Sequence, residues 1–107
     1  MRIIVGVTGA SGVEMSWYLL EALKNEKSCE VHLVISDEAK INWKLETQRP
    51  LEDLLSLANF VYEAGDMAAV ISSGSYGTDG MIVMPCSMKT LAGIVSGYAD
   101  NLILRSA

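Results

Sequence analysis

Long hydrophobic runs, paired cysteines, a histidine cluster and an excess of positive charge are all missing from this 107-residue chain. No stretch approaches the roughly 20 apolar residues of a membrane span, and the N-terminus lacks the basic region, apolar core and cleavage site of a signal peptide. The expectation is a cytoplasmic protein with no membrane partner. Cys29 and Cys86 are too distant for a CxxC pair, and one histidine beside them makes no recognisable metal set, so a reduced, metal-free protein is expected. With 8 basic against 13 acidic residues the formal net charge is −5, which argues against nucleic acid as a partner. Any bound phosphate must be held locally. Gly6, Gly9 and Gly12 miss the GxGxxG register, no acidic residue ends the second strand, and there is no GxxxxGK[ST] loop. NAD of the usual kind and an ATP-type phosphate loop are thereby disfavoured. No repeat, linker or low-complexity tract divides the chain, so residues 1–107 read as one domain.

What is present is apolar: 50% of the residues are hydrophobic, enough to bury one core. Arg2 to Val7 is a β-branched run almost without polar interruption, as in a strand covered on both faces at the centre of a sheet. The turn Gly9-Ala10-Ser11-Gly12 follows, and Leu19, Leu20 and Leu23 predict a helix over 13–24, with Gly12 and Ser16 small enough for close approach to the sheet. Residues 30–35 form a second buried strand. Ser36 is placed to cap a helix from Asp37 to about Thr47, with Asp37 and Glu38 at the positive end of its dipole. Pro50 suits the first turn of a short helix through Ala58. Residues 59–62 read as a short strand or an extended link, and 66–71 as a brief helix. A third clear strand covers 80–84, and a helix is expected over 89–98, followed by a segment over 100–105. The order favours a three-layer flavodoxin-like or Rossmann-like parallel sheet with right-handed crossovers, apparently incomplete at its C-terminus.

In such a sheet ligands bind where strand ends and helix N-termini leave backbone N–H groups free. The turn at Gly9 and the turn Pro85-Cys86-Ser87-Met88-Lys89-Thr90 both follow strands, so the chain reads as a binder of a phosphorylated cofactor. The second turn is the more specific, offering the Ser87 and Thr90 hydroxyls, consecutive N–H groups and the Lys89 cation. Each residue has a plainer role beside this one. The glycine turn equally serves as a tight connection, Ser36 as a helix cap and Lys89 as a solvated charge. From spacing alone Glu46 is an exposed carboxylate. Trp17 and Trp43 read as packing groups, and His32 as a satisfied core or interface residue.

Taken in order, Gly9-Ala10-Ser11-Gly12, Val34-Ile35-Ser36, Leu45-Glu46-Thr47, Ile71-Ser72-Ser73-Gly74-Ser75, Thr78-Asp79-Gly80-Met81 and Pro85-Cys86-Ser87-Met88-Lys89-Thr90-Leu91 resemble the UbiX-like flavin prenyltransferases. That family includes the B subunits of phenolic and hydroxyarylic acid decarboxylases. The similarity runs through Ala99-Asp100-Asn101-Leu102 and Arg105. It implies binding of reduced FMN and transfer of a dimethylallyl group from dimethylallyl phosphate to flavin N5 and C6. The prenylated flavin then serves a partner UbiD-like decarboxylase, and a homo-oligomer buries the flavin between subunits. On this resemblance Gly9, Ala10, Ser11, Ser36, Ser87, Met88, Lys89 and Thr90 hold the flavin. Ser11 and Glu46 take catalytic places, relaying protons and steadying charge.

Two departures accompany the resemblance. Val13-Glu14-Met15-Ser16-Trp17 replaces the Ala-Ile-Tyr-Gly-like residues of the family, which alters packing or subunit contacts at the first helix. The family also continues well beyond the point matching Ala107, with an FMN-contacting Arg, the Glu of a Pro-Arg-Glu segment, and the Lys, Arg and Tyr that grip the prenyl phosphate. This chain thus corresponds to the N-terminal part of the family domain. One reading is the transferase; the alternative is a truncated, non-catalytic FMN-binding or assembly subunit. A short-chain dehydrogenase fragment, suggested by Thr8-Gly9-Ala10-Ser11-Gly12, lacks the later glycine pair and a Tyr-x-x-x-Lys.

Overall fold

The computed structural model describes residues 1–9, 12–65 and 78–84. Four strands, β1 (Arg2–Val7), β2 (Glu30–Ile35), β3 (Phe60–Glu63) and β4 (Gly80–Val83), form one sheet in the order β3-β2-β1-β4. Every pairing is parallel. β1 is flanked on both sides, as its unbroken apolar run predicts. Three helices, α1 (Met15–Lys24), α2 (Asp37–Glu46) and α3 (Leu51–Leu55), lie within the β1–β2 and β2–β3 crossovers. Right-handed crossovers running in one direction put all three on the same face. The main core confirms this: Val5, Val7, Val31, Leu33 and Ile35 from alternate strand positions pack with Val13 and Leu20, Ala39 and Trp43, and Leu54. The opposite face carries Ile4 and Val34, with Tyr62, Ala64 and Met81 against them.

β1 and β2 fall where expected, β4 ends at Val83, one residue before the expected 84, and the helix bounds differ for local reasons. Residues 12–14 form a turn, and α1 begins at Met15 rather than Val13. Gly12 has φ +90°, in the left-handed region that only glycine enters cheaply, and the first bonds beyond it are short ones, Met15 N–H to Gly12 O and Ser16 N–H to Val13 O. Ser16 is fully buried, its hydroxyl donating to Val13 O at 2.6 Å. α2 ends one residue early because β-branched Thr47 is extended, at φ −138°, ψ 155°. α3 spans Leu51–Leu55 rather than reaching Ala58, its continuation being a turn through Leu57.

Residues 59–62 had two readings, and a strand is the outcome. β3 pairs with β2 as His32↔Phe60 through Ile35↔Glu63. Asn59 sets that register: its Oδ1 accepts from Val31 N–H at 2.7 Å and its N–H donates to Val31 O. Expected elements over 66–71, 89–98 and 100–105 lie outside the described residues.

Candidate cofactor site

β1, β2 and β4 end level. Val7 is opposite Ile35 and Gly6 opposite Val83, and the ladder runs one step further through Ser36 N–H to Val7 O at 3.0 Å and Met84 N–H to Gly6 O at 2.9 Å. Thr8 therefore stands beside Ser36, and Met84 beside Val7 one step lower, at the carboxyl edge. From β1 the chain moves to β2 and β3 on one side, then returns to β4 on the other. The switch point is the crevice above β1 and β4, the place where open sheets of this kind take ligands.

Gly9 and Ser36 of the expected site stand at this edge. Gly9 packs on the first turn of α2: a Cβ there would lie 2.4 Å from Glu38 Cβ, so any side chain would push the two segments apart. Ser36 is 8% exposed and caps α2 as expected, its Oγ accepting from Ala39 N–H at 3.1 Å. An accepting hydroxyl keeps its own O–H to donate, so capping and ligand contact are compatible in Ser36. Asp37 and Glu38 occupy the first turn. Glu63, at the end of β3, pairs with Lys40 of α2, which also faces Asp37.

Glu46 is exposed, as its spacing implied, but it is not a solitary surface charge. Its Oε1 accepts from Gly12 N–H at 3.0 Å, across 34 residues of sequence. The end of α2 thereby returns to the turn that follows β1. Gly9 and Ser36 stand together at the strand ends, against the start of α2, and Glu46 at its other end meets Gly12; Ala10, Ser11, Ser87, Met88, Lys89 and Thr90 lie outside the described residues.

Trp43 is buried within α2 and Trp17 is half-buried on α1, so both pack as expected. The stacking of Arg49 on Trp17, with the guanidinium carbon 4.3 Å from the ring centroid, had no counterpart in the sequence reading. A cation just past a helix end, with two tryptophans upstream, was its only signal. His32 is fully buried in the sheet, with Nε2 2.7 Å from Glu30 Oε1 and Nδ1 3.0 Å from Tyr62 Oη. A carboxylate only accepts, so Nε2 carries a proton toward Glu30, and Nδ1 shares a hydrogen bond with the tyrosine hydroxyl. That hydrogen bond from His32 holds the Glu30 carboxyl below its ordinary value, against opposing desolvation and with help from the charges of His32, Arg2 and the N-terminus. His32 lies toward the amino ends of the strands and is a satisfied core residue.

A parallel sheet with helices in its crossovers defines a flavodoxin-like fold, a class whose members take ligands at the carboxyl edge of the sheet. The chain belongs to the Flavoprotein family, whose profile matches residues 1–107. It is 54% identical over 107 residues to the probable UbiX-like flavin prenyltransferase of Sedimentibacter hydroxybenzoicus, covering all of this chain and 57% of that protein. The dodecameric FMN-dependent UbiX-like decarboxylase from Escherichia coli O157:H7 superposes with a TM-score of 0.96 at 53% identity, over 99% of this chain and 57% of the other. AnUbiX (PadA1), solved in complex with FMN and dimethylallyl pyrophosphate, superposes at 0.94 with 48% identity, over 98% of this chain and 55% of the other. The chain spans little more than half the length of the relatives it matches.

Proposed function

We propose that this chain binds FMN at the carboxyl edge of its sheet and takes part in flavin prenyl transfer. Reduced FMN is the acceptor and dimethylallyl phosphate the donor. The donor's C1 would bond to flavin N5 as its C–O bond breaks, phosphate leaves and the N5 proton is lost; its C3 would bond to C6 as the prenyl C=C takes up a proton at C2 and the C6 proton departs. The prenylated flavin is passed to a UbiD-like decarboxylase.

The observation that carries this reading is the Glu46 carboxylate hydrogen-bonded to Gly12 N–H, in the turn that follows β1. It joins the glycine turn of a flavin-binding edge to a group able to hold a proton, in a chain closely similar to a protein crystallised with FMN and a prenyl diphosphate. The residues fit the flavin. Absence of a side chain at Gly9 lets the turn seat against Glu38 at the start of α2, and Ser36 keeps a donor at the next strand end. Ala10 and Ser11 complete the first junction. Ser87, Met88, Lys89 and Thr90 supply N–H groups, hydroxyls and a cation for a phosphate at the third. Glu46 and Ser11 move or hold a proton as charge develops.

A homo-oligomer is part of the proposal. Met15, Tyr18, Ile41 and Leu45 are large apolar residues more than half exposed on α1 and α2, a pattern that suits burial between subunits. Titration of FMN followed by flavin fluorescence tests binding, and addition of dimethylallyl phosphate with a reductant tests transfer by the change in absorption. No FMN uptake overturns the proposal. FMN uptake without transfer leaves the non-catalytic flavin-binding or assembly subunit as the function.

A further inference from the structure

Arg49 follows the end of α2, and its backbone is held on both sides. Its N–H donates to Thr47 Oγ1 at 3.1 Å, and its carbonyl accepts from Trp43 Nε1–H at 2.8 Å. Its guanidinium carbon lies over the Trp17 ring, 4.3 Å from the centroid, and 6.0 Å from that of Tyr18. Trp17 and Trp43 stack with centroids 6.3 Å apart and planes 27° from parallel. These contacts close a ring: Gly12 to the Glu46 carboxylate, back along α2 to Trp43, on to Arg49, across to Trp17, and down α1 to Gly12.

An exposed carboxylate on a flexible stem loses rotamer freedom when it holds one hydrogen bond, so such bonds persist only where the backbones they join are fixed. The distance between Gly12 and the Glu46 backbone is set by how α1 meets the end of α2. Arg49 acts at that meeting point, because a planar guanidinium spreads over an indole face while its backbone pins the other tryptophan. Among the described residues no ion pair competes for the guanidinium.

We propose that Arg49 is a positioning residue: it clamps α1 to the end of α2 and so keeps the Glu46 carboxylate on Gly12 N–H. The consequence for prenyl transfer rests on the function proposed above; the clamp itself does not. The test is the amide spectrum of the full chain. In Arg49→Ala the Gly12 resonance is expected to move toward its position in Glu46→Ala, while the amides of Val5 and Leu33 in the sheet stay in place. Arg49→Lys moves it in the same direction, since an ammonium does not reproduce the stacked plane, and carries the test if Arg49→Ala does not fold. The double variant Arg49→Ala/Glu46→Ala leaves Gly12 where Glu46→Ala alone puts it. A Gly12 amide unmoved in folded Arg49→Ala or Arg49→Lys overturns the proposal. In the transfer reaction, kcat falls ~10- to 100-fold with the donor KM unchanged, as for a misplaced reacting group; an unchanged kcat overturns the catalytic part. Failure of the unsubstituted chain to take up FMN overturns the proposed function instead, and the Gly12 shift still decides the clamp.

Discussion

The two ends of the sheet use polar residues in opposite ways. At the amino end they are spent on one another. The N-terminal ammonium donates to Ser28 O at 2.6 Å, Arg2 N–H to Asp79 Oδ2 at 2.7 Å, and Val31 N–H to Asn59 Oδ1 at 2.7 Å. Arg2, Glu30, His32 and Tyr62 continue the pattern from strand to strand. At the carboxyl end the same strands finish in a glycine that admits no Cβ, a serine at a helix start and a carboxylate reaching back from a helix end. One end sets register and stability. The other keeps the Ser36 hydroxyl proton free of the helix cap it serves.

Substitutions that separate stability from flavin binding test this contrast. The largest effect is expected at the amino end, in His32→Ala, which removes the Glu30 and Tyr62 contacts and opens a cavity beside the stacked Phe60 ring. Urea unfolding should register a loss of about 3 kcal/mol, with the FMN affinity of the folded protein unchanged; reduced affinity would erase the distinction. Gly9→Val acts at the other end. The strain of parting the glycine turn from Glu38, about 1–3 kcal/mol, should weaken FMN binding by about 5- to 150-fold in a fluorescence titration. Ser36→Ala removes the α2 cap at a cost of about 1 kcal/mol in stability and also weakens FMN binding, so both readouts move together.

The smallest effect is a dependence on pH. A carboxyl held below its ordinary value of 4.5 contributes stability that is fully present above that pH and is lost as pH falls through the lowered value. Acid unfolding of Glu30→Gln should therefore be flatter than that of the parent below pH 4.5, while the two curves run parallel above it. Thermal melts across the acid range would show this, and identical slopes would remove Glu30 from the account.

What was legible in the sequence follows from burial. β1 and β2 are buried on both faces over most of their length, so their apolar runs marked them with their full bounds. β3 is an edge strand with Phe60, Val61 and Glu63 exposed, and no apolar pattern could separate it from an extended link. Its pairing depends on Asn59, a contact made 28 residues away. The Ser36 cap was legible because capping is local chemistry. The Glu46–Gly12 bond was not, because spacing reports exposure and says nothing of what an exposed group touches after two helices pack. Arg49 on Trp17 escaped for the same reason: the chain must reverse after α2 before the two meet.

The position of β1 bears on how the chain is made. The ribosome releases this strand before the other described strands, and its β2 partner follows within about 30 residues, yet the other flank waits for β4. Through that interval an apolar parallel strand displays one row of unmet amides and carbonyls, and pairings this distant along a chain form slowly. When Asp79 emerges it exchanges two hydrogen bonds with the backbone of Arg2 and brings the late strand into line. Translation paused before that residue would leave a nascent chain prone to sticking to its neighbours.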